Sequence, residues 1–221
     1  MTLQDLFDQL AIGELAQIGL SNQGNGIELE NQKKILPHVN LGLAELHTRF
    51  HLREKSKLVR KRVGISKYVI DDPVFTKLEK VFFRKKDEET GEFENIELVI
   101  DQDGRDDSVF VPTWNVIEIP DTLQEGDYLI KYRAKHDPLL KEWLDVLGAD
   151  KIALPIPPTH IYPLELFIAA QLLTPMGFDG DMHEGNNYSM KFERACNELV
   201  NKGFRRQQET ETHKFVNNGW V

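Results

Sequence analysis

Leu154-Pro-Ile-Pro-Pro-Thr-His-Ile-Tyr-Pro163, then Leu164 to Leu173, then Thr174-Pro-Met-Gly-Phe-Asp-Gly180, then Asn186 to Lys202, is the stretch whose reading decides the fold. Pro157 and Pro158 stiffen the approach, and Pro163 is tolerated in a first helical turn. The spacing predicts a helix from His160 to Leu173. Leu166, Phe167, Ala170 and Leu173 fall on one stripe, and Ile161, Leu164, Ile168 and Leu172 on a second. A helix apolar nearly all round belongs at the centre of a structure or against a neighbouring subunit. Thr174-Pro175 and Gly177 end it. Asn186 to Lys202 predicts a further helix, with Tyr188, Phe192, Ala195, Cys196 and Leu199 inward and Gly203 as its cap.

Before this stretch, helical and extended periods alternate. Thr2 with Asp5 forms a capping-box pattern that opens a helix through Leu3, Leu6, Phe7 and Leu10. Ile27 to Phe50 predicts a second helix, which Pro37 should kink or break near Leu36. These two helices are expected to pair antiparallel. From Ser56 the period shortens. Short extended runs are punctuated by Asp71-Asp-Pro73, Asp103-Gly104 and Glu125-Gly126, which predicts a compact β-sandwich or small barrel. Phe75 to Arg84 fits helix or strand. The strand is preferred, because Asp87 to Gly91 reads as a hairpin tip before Ile96 to Ile100. Helical spacing returns at Leu140, Trp143, Leu144 and Leu147. The expected fold class is therefore α+β. An antiparallel bundle of about four main helices, 1–55 and 137–204, carries an inserted small β-sandwich or barrel, 56–136, and an extended C-terminal tail, 205–221.

The chain has 221 residues, 40% hydrophobic and 29% charged, enough for a sizeable core. Its net charge of -9 argues against a general nucleic-acid-binding surface, which needs a basic excess. It does not exclude a wall that DNA slides past, because repulsion prevents sticking. The single cysteine, Cys196, excludes an internal disulfide. The longest apolar run, near Leu164 to Leu173, falls far short of the roughly 20 residues that span a bilayer. The N-terminus is not a secretory signal, so no membrane association is expected.

The sequence shows no convincing catalytic constellation. His47 and His51 lie four apart on one helical face, a spacing that suits a metal. The glutamate needed for zinc hydrolysis is replaced by Thr48, and the nearest third ligands, Glu45 and Glu54, form no signature. Asp101 to Asp107 has its glycine at the wrong place for a calcium loop, and a hairpin turn explains it better. Asp179, Asp181 and His183 are placed to gather a cation in the loop between the last two helices, and an acid-rich N-terminal cap region, favoured by the helix dipole, is the alternative. The reading is a non-enzyme without cofactor or metal. Lys55, Lys57, Arg60, Lys61 and Arg62 form the densest basic cluster. It reads as a charge-guarded strand edge, or as a nucleic-acid-binding module over 55–62.

Pro163-Leu-Glu-Leu-Phe-Ile-Ala-Ala-Gln-Leu-Leu-Thr-Pro-Met-Gly177, followed by Gly185-Asn-Asn-Tyr-Ser-Met-Lys-Phe-Glu-Arg-Ala-Cys-Asn-Glu-Leu199, resembles the head-to-tail adaptor (connector) proteins of tailed bacteriophages, especially short-tailed ones. The matching positions are Tyr188, Phe192, Ala195 and, one place late, Glu198-Leu199. Glu125 to Pro138 is similar to the strand leading out of that family's β part. The resemblance covers the C-terminal half. It implies a homo-oligomeric ring, usually of twelve copies, in the virion neck and assembled in the host cytoplasm. Such a ring binds below the portal protein, extends the DNA channel without specific DNA binding, and carries the tail tube or nozzle protein. The family's tail inserts against the portal, which makes Arg205, Arg206, Phe215, Val216, Trp220 and Val221 the expected docking residues. A tail-completion or tail-tube protein is the rival virion role.

Overall fold

A computed structural model describes residues 1–13, 15–16, 26–86, 91–101, 108–173 and 181–204. The elements in order are helix α1 (Leu3–Ile12), helix α2 (Leu29–Arg49), strands β1 (Glu54–Lys61), β2 (Lys67–Val69), β3 (Phe75–Lys86), β4 (Phe93–Ile100), β5 (Ser108–Thr113), β6 (Val116–Glu118) and β7 (Gly126–Ala134), then helices α3 (Lys141–Val146), α4 (Ile161–Leu173) and α5 (Asp181–Asn201). The chain divides into two compact units, each with its own apolar core. One comprises Met1–Leu52 and the described residues from His136 onward, the other Arg53–Lys135.

The expected bundle with a small inserted sandwich is not what forms. Among the described residues there are five α-helices, and the β part is one seven-stranded mixed sheet, nearly closed into a barrel. Its strand order is β1-β7-β3-β4-β5-β6-β2. The cause lies in the strand order. β7, last in sequence, takes an interior place and pairs antiparallel with both β1 and β3. One sheet then curls on itself, and two facing sheets never form. β4 and β5 pair in parallel, which makes the sheet mixed. Val81, Ile130, Tyr128 and Val109 fill the interior. Phe75–Lys86 is a strand throughout, with register shifts near Thr76 and Glu79.

Two details of the sheet bear on function. Lys61 is buried, and its ammonium donates to the carbonyls of Pro120, at 2.6 Å, and Leu123. Lys55 Nζ, at 3.1 Å, and Tyr132 Oη, at 2.7 Å, both donate to Asp72 Oδ2, while Val74 N donates to Asp72 Oδ1. The hydrogen bond from Tyr132 is the largest cause holding the Asp72 carboxyl down at about 2.

In the helical unit α1 opens with the expected capping box. Asp5 N donates to Thr2 Oγ1, and Thr2 N to Asp5 Oδ2. α1 does not make the expected pair with α2 its main contact. It packs mainly on the 3-10 turn Ala149–Lys151 and on α4, and Leu3 N donates to Ile152 O at 2.8 Å. α2 runs unbroken through Pro37. Pro37 lies on the exposed side, where solvent can replace the helical bond that proline removes. Gly42 lets α2 and α4 cross closely: a Cβ there would lie 2.6 Å from Leu164 Cδ1 and 2.9 Å from Phe167 Cδ1. Eight of the thirteen residues of α4 are buried, on both predicted stripes, which makes it the central helix.

Candidate interaction surface

The side chains with the most concentrated geometry lie where α2 ends beside α4 and α5. Arg49 Nη1 and Nη2 donate to the two carboxylate oxygens of Glu193, at 2.7 and 2.6 Å. Arg49 Nε donates to Glu45 Oε1 at 2.6 Å, one turn back on α2. The guanidinium also lies over the Phe192 ring, 4.8 Å from its centroid. These partners, the Glu193 bond foremost, push its pKa above the usual arginine value. Phe192 in turn meets Phe167 edge to face, at 5.3 Å.

Beside this cluster opens a groove of about 580 Å³. Phe167 and Ala170 of α4 and Met190 and Phe192 of α5 make its lining mostly apolar, and Arg49 and Arg194 stand at its margin. The groove presents apolar surface and fixed charge. Gln171, Ser189 and Asn197 add polar groups to the lining.

The residues singled out in the sequence are dispersed. Arg205, Arg206, Phe215, Val216, Trp220 and Val221, and with them the expected extended tail, lie outside the described residues. Phe204 closes the described chain, its ring edge to face with His160 at 5.5 Å. His47 is buried, with its ring 5.6 Å from that of His136, whereas His51 is exposed. Glu45 is taken by Arg49, and Glu54 pairs with Lys131 at 3.4 Å. Among the described residues no three His, Cys, Asp or Glu side chains gather as a metal site requires. Asp101 has φ 51, and its carboxylate accepts from Val111 N at 2.8 Å. Asp103, Asp106, Asp107 and Asp179 lie outside the described residues, as do the side chains of Asp181 and His183. Cys196 is buried.

The basic cluster does not make one face. Along β1 burial alternates so that Lys55, Val59 and Lys61 share the inner side, while Leu58 and Arg60 face outward. Lys55 and Lys61 are engaged as described above, and Arg60 stands 4.0 Å from Asp127.

No known family profile matches the chain, and no curated protein is similar to it. Among the described residues no helix is long and apolar enough to cross a membrane.

Sequence reasoning missed Arg49 and Met190. Arg49 was legible only as the i+4 partner of Glu45, and its main partner is distant in sequence. Met190 is 67% exposed on an otherwise polar helix face, a signal visible once the inward stripe of α5 is drawn.

Proposed function

We propose that this chain is a structural subunit of a phage neck, a head-to-tail adaptor that forms a ring below the portal. The observation that carries the reading is the α4–α5 pair. The described residues among those that resemble the adaptor family, 163–173 and 185–199, lie in these two helices, and residues of both line the open apolar groove. A central helix nearly apolar all round, beside an open apolar groove, suits a subunit that completes its packing with neighbours.

In this reading the ring extends the DNA channel, and the net charge of -9 lets DNA pass without sticking. Residues 205–221, with Arg205, Arg206, Phe215, Val216, Trp220 and Val221, dock on the portal, and another face carries the tail tube or nozzle protein. The site of action is the virion neck, and the role is assembly. The rival nucleic-acid reading of 55–62 has little support, because Lys55 and Lys61 are engaged within the β unit.

Negative-stain electron microscopy of the purified chain, alone and mixed with the portal of the same virus, tests the proposal. A ring with a central hole is expected. Particles that never form rings under either condition would overturn it. Deleting 205–221 is expected to leave a folded subunit that no longer attaches to the portal, and undiminished attachment would remove the docking role of that segment.

A further inference from the structure

Within the helical unit, His160 stands where three segments of the chain meet. Phe50 follows the end of α2, Thr159 and His160 form the turn before α4, and Phe204 follows α5. The imidazole and the Phe50 ring are each 1% exposed. They meet edge to face at 4.8 Å, and Phe204 meets the imidazole in the same way at 5.5 Å. Nδ1 has the Thr159 hydroxyl at 3.1 Å. Nε2 is buried with no hydrogen-bond partner among the described residues. Phe50 belongs to the main apolar core of the unit. Phe204 is 37% exposed, lies beyond Gly203, whose φ of 89 turns the chain, and donates through its N to Leu199 O at 3.1 Å.

The neutral imidazole is satisfied by Thr159 on one side and leaves Nε2 in an aromatic box. A second proton would place a charged N–H in that box without an acceptor, which is costly. The charge would also precede Ile161, the first residue of α4, at the positive end of a thirteen-residue helix. The ionisable groups on the packed elements offer no compensation. On α2, Arg49 is held by Glu45 and Glu193, His47 lies beside His136, and His51, just past the helix end, is exposed. On α4, Tyr162 is exposed and Glu165 lies more than one turn further on. On α5, Glu198 pairs with Arg194, and Lys202, just past its end, is exposed. None of these groups acts on the His160 pKa, which burial alone lowers. Water reaches Nε2 most cheaply where the box is least anchored, and that is at Phe204, since displacing Phe50 would open the core.

We propose that Phe50, His160 and Phe204 form a pH-sensitive latch: the neutral imidazole holds Phe204 against the start of α4, and protonation releases Phe204, and with it the point from which residues 205–221 leave the helical unit. The latch lies within the helical unit and holds whether or not copies of the chain form a ring. Above 6.5 the imidazole is neutral in both positions of Phe204, and pH has no effect through it. Below that value the opened site takes up a proton that the packed site resists. The ratio of released to packed Phe204 then rises by up to about tenfold per pH unit, until pH reaches the lower value of the packed ring.

The test places 4-fluorophenylalanine at position 204 of the full chain and follows its fluorine NMR resonance between about pH 7.5 and pH 5. The resonance should move from a packed position to that of a solvent-exposed ring as pH falls, while circular dichroism and thermal melting show the unit still folded. His160→Phe keeps a ring in the box and takes up no proton, so its resonance should hold the packed position throughout. His160→Gln, which is smaller, polar and equally unable to titrate, should give a resonance that does not depend on pH, and it serves as the control where the phenylalanine variant does not fold. A wild-type resonance that stays packed until the whole unit unfolds would overturn the latch. So would the same movement at the same pH in either variant.

Discussion

Arg49 and Glu193 meet through two parallel hydrogen bonds, Nη1 to Oε2 at 2.7 Å and Nη2 to Oε1 at 2.6 Å, which join the last turn of α2 to the middle of α5. The fork matches the planar guanidinium to the carboxylate, and stacking over Phe192 fixes its plane. Lysine cannot reproduce either feature. Arg49→Lys is expected to lower stability by about 1 kcal/mol, a modest figure because Glu193 is half exposed and solvent screens the pair. A double-mutant cycle with Arg49→Ala and Glu193→Ala, followed by urea unfolding, should give a coupling of about 1 kcal/mol that shrinks in high salt. Zero coupling at low salt would show that packing on Phe192 alone holds the two helices.

Asp72 supports a second prediction, within the β unit. Its carboxylate accepts from Tyr132, Lys55 and Val74, and its pKa is held at about 2, first by the Tyr132 hydroxyl. The folded state thus holds the proton more weakly than the unfolded state, whose carboxyl titrates near 3.8. The contribution to stability is complete above about 3.8 and is lost as pH falls towards 2. Asp72→Ala should cost about 2 kcal/mol at neutral pH, since hydrogen bonds to a charged group are removed. The gap between wild type and variant in urea unfolding should close on acidification through that window. A gap that persists at the acid end would place the effect in packing.

The elements that local chemistry decides were legible: the capping box of Thr2 and Asp5, and the all-round apolar pattern of α4. The single curled sheet was not. Its organising event is the insertion of β7 between β1 and β3, and the pairing of Lys57 with Ile130 leaves no trace in the period of either strand. β1 misleads for another reason. Its lysines alternate towards the interior and Leu58 faces out, the reverse of the usual polarity. Asp72 and two backbone carbonyls supply partners that only the folded chain brings near. The groove was equally hidden, because Arg49, Phe167 and Met190 come from three helices.

Gly42 supplies a third prediction. Alanine would gain about 1 kcal/mol of helix propensity. Its Cβ would, however, lie under 3 Å from Leu164 and Phe167, and the ring of Phe167 is itself packed against Phe192. Overpacking of this kind costs about 1–3 kcal/mol. Gly42→Ala should therefore destabilise by up to about 2 kcal/mol in urea unfolding. The larger Gly42→Val should do more, and trimming Phe167→Leu in the Gly42→Ala background should recover part of the loss. A stabilised Gly42→Ala would mean that α2 and α4 can separate freely, contrary to the close crossing.

His160 gives a pH dependence of opposite origin to that of Asp72. It is buried, its Nδ1 lies 3.1 Å from Thr159 Oγ1, and its ring meets Phe50 and Phe204 edge to face at 4.8 and 5.5 Å. Burial lowers its pKa below 6.5. Above 6.5 the imidazole is neutral in both states, and pH has no effect through it. Below that value the unfolded state takes up a proton that the folded state resists, so stability falls as pH falls from 6.5 towards the lower folded value. The slope can reach about 1.4 kcal/mol per pH unit. His160→Phe keeps an aromatic ring between Phe50 and Phe204 and cannot titrate. In urea unfolding between about pH 7 and pH 5 the variant should lose less stability than the wild type, with the two curves parallel above the imidazole range. Parallel curves across the whole interval would show that His160 takes up a proton in the folded state as readily as in the unfolded one. The aromatic cluster at the last described turn of the chain would then be open to water.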